Sequence, residues 1–124
     1  MIITAIQYQP TFQYSSPLKT LWRKGKLPSV KYGIYGDILT QKNVSLEHLQ
    51  PHSKGGRTKL SNLVLASKRN NQRRGNQDIK GFLTPESLMR YLCQFRDIKV
   101  NDFDGNRYII EVVKTIGDLI CSNG

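Results

Sequence analysis

Residues 44–75 read VSLEHLQPHSKGGRTKLSNLVLASKRNNQRRG, and the order of patterns in this segment carries the main structural signal of the chain. Apolar residues alternate over residues 44–48, which favours a strand that Pro51 ends. Residues 52–58 have the polar, glycine-containing composition of a loop. The short apolar run of residues 62–66 predicts a second strand.

A helix is predicted to follow this second strand. Ser67 is a good N-cap for a helix that continues to about Arg74, and Gly75 is suited to close it. Upstream, Ser16-Pro17 resembles a helix start, which predicts a helix from Leu18 to about Lys24. The segment therefore predicts strand, loop, strand and helix, with a further helix before it.

The remaining segments give weaker patterns. Residues 1–15 fit a short strand or a loosely packed arm, and residues 31–40 fit a turn or hairpin around two glycines. Thr84-Pro85-Glu86 is a helix N-terminal signature. A second amphipathic helix is predicted to place five apolar residues on one face: Ile109, Val112, Val113, Ile116 and Ile120. Asp104-Gly105 leaves open a hairpin between residues 98–103 and 107–113 instead.

The charge of the 124-residue chain is strongly basic and unevenly distributed. Its formal net charge is +10, with 14 basic and three acidic side chains in residues 1–80 but five basic and six acidic in residues 81–124. Such a basic portion fits a surface that meets a polyanion, although a merely basic soluble protein has the same charge.

The composition excludes a membrane-spanning chain and a disulfide framework. Mean hydropathy is −0.47, and no apolar run approaches the roughly 20 residues of a spanning helix. The beginning of the chain does not read as a signal peptide, so we expect a cytoplasmic protein of a cell or phage host. Cys93 and Cys121 have no metal-ligand spacing and are predicted to be buried, reduced thiols.

The polar residues of the central segment suggest chemistry. Glu47 and His48 are neighbours at a strand end, where they would point to opposite faces. Further along the chain, the second strand adds the amide side chain of Asn62, and the helix after it adds that of Asn71. Carboxylate and amide oxygens suit a hard cation such as Mg²⁺, which binds through few protein ligands plus water and phosphate oxygens.

These positions together resemble the HNH endonuclease family over about residues 30–78. The resemblance is carried by Glu47-His48, Pro51, Ser53-Lys54-Gly55-Gly56, Asn62-Leu63, Asn71 and Arg74-Gly75. It implies an α+β fold with a ββα-metal motif, flanked here by an N-terminal helix and C-terminal helices. We therefore expect one HNH nuclease domain over residues 1–124, with a helical extension over about residues 82–121.

The resemblance also implies roles for particular residues. His48 would be the general base that activates water, and Glu47 and Asn71 would be ligands of a divalent ion, Mg²⁺ or Mn²⁺. Asn62 would be the structural Asn that holds His48 through the loop backbone, and Arg74 would pair with a phosphate near the cut. Asn70 adjoins Asn71, but the spacing from Asn62 favours Asn71 as the ligand.

One departure from the family is the absence of two Cys-x-x-Cys pairs that bind structural zinc in many relatives. Tyr32 and Tyr35, then Ser67 and Asn70, stand at the matching positions. We therefore expect no structural zinc, with an apolar contact involving Tyr32 and Tyr35 in its place. Glu47 also stands where Asp is commoner in the family.

The expected substrate is DNA, with RNA not excluded. Candidate nucleic-acid contacts are the basic residues near the site, namely Lys54, Arg57, Lys59 and Arg73, together with His52. Two other interpretations remain open: a basic nucleic-acid-binding module that has lost catalysis, and a DNA-binding subunit whose helical extension docks on a larger partner.

Overall fold

The computed structural model describes residues 17–122. Its five helices and four short strands follow in chain order: α1 (Pro17–Arg23), β1 (Val44–His48), β2 (Leu63–Ser67), α2 (Lys68–Arg74), α3 (Ile79–Phe82), α4 (Pro85–Cys93), β3 (Lys99–Val100), β4 (Phe103–Asp104) and α5 (Gly105–Ser122). The predicted α+β class with flanking helices is thereby confirmed, whereas the predicted arm over residues 1–15 and Ser16 lie outside the described residues.

The central unit is the predicted sequence of two strands and a helix. β1 pairs antiparallel with β2 in a register that sets Val44 opposite Ser67 and His48 opposite Leu63. Ser67 caps α2 as predicted, because its side chain accepts a hydrogen bond from the Asn70 backbone N–H. Gly75 ends the helix with φ of 53°, a left-handed value that favours glycine.

The C-terminal elements complete the core around β2, whose five residues are all buried. Tyr91 on α4 accepts a hydrogen bond from the Leu65 N–H at 2.9 Å, and Tyr108 on α5 donates to the Leu63 carbonyl at 2.7 Å. The two hydroxyl groups are 2.8 Å apart. A two-stranded sheet is marginal by itself, so these contacts give the β-hairpin the cover that it needs.

The helical prediction for α5 is confirmed, but its predicted apolar face is partly wrong. The buried face is centred on Tyr108, Val112 and Ile116, which are spaced by four residues, whereas Val113 is 49% and Ile120 40% exposed. Val113 is exposed because it directly follows Val112 and is rotated by about 100° from the buried row in a helix of 3.6 residues per turn. Ile120 continues that row but lies in the last turn of α5.

The alternative hairpin with a turn at Asp104-Gly105 is not formed. A shorter hairpin pairs β3 with β4 just before it, and Asn101 adopts the left-handed φ of 53° in its turn. Gly105 instead begins α5, and a side chain there would collide with the Phe95 carbonyl oxygen, 1.9 Å from an added Cβ.

Two smaller predictions concern the cysteines and residues 31–40. Cys93 and Cys121 are free but exposed, so the prediction of buried thiols is wrong; each lies on the solvent side of its amphipathic helix. Residues 31–40 form the predicted turn region, with a single antiparallel bridge between Tyr32 and Ile38. No helix between residues 17 and 122 is long and apolar enough to cross a membrane.

Candidate active site

Glu47 lies on the inner face of β1 and is 4% exposed. Its Oε2 atom accepts a hydrogen bond from the Tyr35 hydroxyl at 2.5 Å and lies 3.3 Å from Nη1 of Arg74. Burial raises the pKa of the Glu47 carboxyl, while the Tyr35 hydrogen bond and the Arg74 charge oppose that shift. Both contacts use Oε2, so Oε1 has no hydrogen-bond partner among the described residues.

His48 ends β1 and faces the loop that follows. Its Nε2 atom lies 3.0 Å from Oγ1 of Thr58, and its ring centroid is 6.3 Å from that of His52. Partial burial, with a smaller contribution from His52, lowers the pKa of His48, which favours the neutral imidazole near pH 7. Thr58 was not singled out by the sequence, because a loop threonine carries no signal of such a contact.

Asn71 on α2 directs its side chain toward β1. Its Nδ2 atom donates to the Leu46 carbonyl and to Oγ of Ser45, both at 3.1 Å, which puts the amide beside the peptide bond that precedes Glu47. No described residue hydrogen-bonds its Oδ1 atom. Asn70 is turned elsewhere, since it is buried and its Oδ1 accepts from Arg73. The geometry therefore favours Asn71 over Asn70 as a ligand.

A divalent cation is compatible with these donor atoms. Glu47 Oε1 and Asn71 Oδ1 are hard oxygens that no described residue occupies, and Mg²⁺ typically takes one or two such protein ligands and completes its shell with water and phosphate. Between residues 17 and 122, no three His, Cys, Asp or Glu side chains come together as a metal site. The candidate ligands are thus one carboxylate and one amide.

Asn62 is buried and holds the loop that begins after His48. Its Oδ1 accepts from the Gln50 N–H at 2.9 Å, and its Nδ2 donates to the carbonyls of Gln50 and Arg57 at 3.2 and 2.8 Å. The same loop brings the backbone of Gly56 so close to Gln50 that an added Cβ would lie 1.7 Å from the Gln50 oxygen. Asn62 thus ties together the two sides of the loop that carries Thr58, the residue in contact with His48.

Arg74 has an interior location that its sequence pattern did not suggest. The side chain is 1% exposed, and its guanidinium donates to three backbone carbonyls: Nε to Gln77 at 2.9 Å, Nη1 to His48 at 2.7 Å and Nη2 to Leu49 at 2.6 Å. With the Glu47 ion pair added, all three guanidinium nitrogens contact protein oxygens. The phosphate contact expected for Arg74 therefore has no support in this geometry.

The predicted nucleic-acid contacts are on the surface. His52, Lys54, Arg57, Lys59 and Arg73 are all exposed, and the four cations form no ion pair with any residue between 17 and 122. The three carboxylates of that basic region are engaged locally: Glu47 as above, Asp37 by Ser67 Oγ, and Asp78 as the cap of α3. The surface around the loop is therefore cationic.

Tyr32 and Tyr35, which stand where the resemblance places one pair of zinc-binding cysteines, contact other parts of the protein. Tyr35 packs edge-on against Phe82, with ring centroids 4.8 Å apart, and Tyr32 lies under Arg90 at 5.1 Å. Gln94, the C-cap of α4, accepts from the Tyr32 N–H at 2.8 Å and donates to the Tyr32 carbonyl at 2.9 Å. Tyr35 thus makes the expected apolar contact, with Phe82. Tyr32 is held instead by Arg90 and by the backbone hydrogen bonds to Gln94.

Two antiparallel strands packed on a helix, with Glu47 and His48 at the end of β1 and Asn71 on α2, form a ββα unit. Residues 33–78, somewhat over a third of the chain, match the family described as HNH endonuclease. The family is one of nucleases that act on nucleic acid and generally use divalent metal ions. No curated protein and no solved structure matches the chain.

Proposed function

We propose that the protein is a metal-dependent endonuclease that hydrolyses DNA phosphodiester bonds. The observation that carries the proposal is the state of His48: Thr58 engages Nε2, while Nδ1 has no hydrogen-bond partner among residues 17–122. A neutral histidine with one nitrogen fixed and the other available is the arrangement of a general base. The cationic loop beside it supports an anionic substrate.

His48 acts on the attacking water. When Nε2 carries the ring proton and donates it to Thr58, Nδ1 is the acceptor that removes a proton from water. The water oxygen then bonds to phosphorus, the ester P–O bond breaks, and the leaving oxygen takes up a proton from solvent. The lowered pKa of His48 keeps the acceptor nitrogen unprotonated near neutral pH.

Glu47 and Asn71 are the residues that would hold the divalent ion, Mg²⁺ or Mn²⁺. When bound, such an ion supplies Lewis-acid stabilisation of negative charge on the phosphate and leaving oxygens. Arg74 is reassigned in this proposal: it orients the end of β1 by binding the His48 and Leu49 carbonyls, and it touches no substrate. Asn62 holds the loop in the same supporting capacity.

The direct test is conversion of supercoiled plasmid in the presence of Mg²⁺ or Mn²⁺. We expect nicked or linear product that EDTA prevents and that added divalent ion restores, with DNA binding measured in parallel by gel shift. Binding without cleavage under any divalent ion would instead favour a nucleic-acid-binding module. A sizing column run with the same preparation tests whether a partner or a second copy is involved.

Neutralising the loop cations is expected to weaken DNA binding in a salt-dependent way. Arg57 and Lys59 flank Thr58, the residue that contacts His48. If each meets one phosphate, the double change Arg57→Gln with Lys59→Gln lowers the steepness of log K against log salt by about 2. The control is Lys99→Gln, which lies on β3 within the near-neutral residues 81–124. This change should leave the slope unchanged. An equal effect of both changes would argue against the loop as the contact surface.

A further inference from the structure

The hydroxyl of Tyr35 contacts the candidate ligand Glu47 at one oxygen only. It donates to Oε2 at 2.5 Å, and the Arg74 guanidinium approaches the same oxygen at 3.3 Å. A phenol carries its proton near neutral pH, so Tyr35 is a hydrogen-bond donor to the carboxylate. The two donors leave Oε1 as the oxygen without a hydrogen-bond partner among residues 17–122.

Tyr35 is itself held firmly. Its ring meets the Phe82 ring edge-on at an interplanar angle of 89°, and the preceding residue, Ile34, is completely buried and donates its N–H to the Leu65 carbonyl of β2 at 2.8 Å. The hydroxyl therefore reaches Glu47 from a residue that is anchored to the sheet. This differs from a long surface side chain, which would lose rotamer freedom to make the same bond.

We propose that Tyr35 is a positioning residue that fixes Oε2 of Glu47 and thereby presents Oε1 to the divalent cation. The inference rests on the proposed function, in which Glu47 is a ligand. Glutamate has three side-chain torsions, so its carboxylate has several orientations that a fixed donor can restrict.

The test is a titration of the full chain with Mn²⁺, in which the electron paramagnetic resonance signal of free Mn²⁺ measures binding. Tyr35→Phe removes one hydroxyl and keeps the ring against Phe82. Loss of a hydrogen bond to a metal ligand typically costs 10- to 100-fold in affinity, so we expect the Mn²⁺ dissociation constant to rise roughly tenfold or more. Tyr32→Phe is the matched control, because no described residue hydrogen-bonds the Tyr32 hydroxyl.

A second comparison separates positioning from damage to the fold. Glu47→Asp shortens the carboxylate side chain and withdraws it from Tyr35, so adding Tyr35→Phe to that variant should have little further effect on Mn²⁺ binding. A loss of equal size in both backgrounds would overturn the proposal, because it would show that the hydroxyl acts elsewhere. Thermal unfolding of each variant identifies any that fails to fold.

Failure of this inference is distinguishable from failure of the proposed function. If Glu47→Gln abolishes Mn²⁺ binding but Tyr35→Phe binds as tightly as the parent, Glu47 remains the ligand and the role of Tyr35 is overturned. If the parent binds no Mn²⁺, or Glu47→Gln binds as well as the parent, both are overturned. Weakened binding in Tyr35→Phe alone, with Tyr32→Phe unchanged, supports the positioning role.

Discussion

Replacing His48 by alanine is expected to reduce DNA cleavage by about 100- to 10,000-fold, the contribution typical of a general base. The variant loses the imidazole that accepts a proton from water in the proposed mechanism. It keeps the carboxylate of Glu47 and the cationic loop, so DNA binding should persist. The measurement is the initial rate of plasmid nicking, with binding followed on the same DNA.

His52→Ala is the matched control for this prediction. His52 is the other histidine, its ring centroid is 6.3 Å from that of His48, and it is exposed. We expect His52→Ala to retain most of the cleavage rate and to lose at most some affinity for DNA. The opposite result, with His52→Ala inactive and His48→Ala active, would identify His52 in the loop as the general base.

Replacing Arg74 by methionine is expected to destabilise the protein by about 3–5 kcal/mol, the cost of removing one partner from a buried ion pair. The change leaves the Glu47 carboxylate without its cation and removes the donors to the His48 and Leu49 carbonyls. The measurement is the free energy of unfolding from urea denaturation. Since those carbonyls lie at the end of β1, the folded fraction should also cleave more slowly.

Two controls make the Arg74 prediction specific. Arg73→Met alters the exposed neighbour on α2 and should change the free energy of unfolding by less than about 1 kcal/mol. Arg74→Lys keeps the charge but not the planar fork, so an intermediate loss is expected. If Arg74→Met were as stable as Arg73→Met and yet inactive, the guanidinium would be acting on a phosphate, as the sequence pattern first suggested.

Local sequence patterns predicted some features of the candidate site and missed others. The strand of residues 44–48 and the Ser67 cap follow from local rules, and both are formed as predicted. The candidate roles of His48 and Asn71 come from the resemblance to HNH endonucleases; their geometry is compatible with those roles, which stay predictions. Arg74 was expected to contact a phosphate, because a motif gives the residue type and position but not the direction of the side chain.

The sequence by itself predicted the strand, loop, strand and helix of the central segment, the α+β class and the resemblance to HNH endonucleases over about residues 30–78, because periodicity, capping and motif spacing are local properties. Only the tertiary structure decided the partners of each polar group. Tyr35 is 12 residues from Glu47, Thr58 is ten from His48, and Arg74 is 26 from the His48 carbonyl that it binds. Such contacts depend on how the loop and α2 pack against β1, and burial selects which donors and acceptors must find one another there.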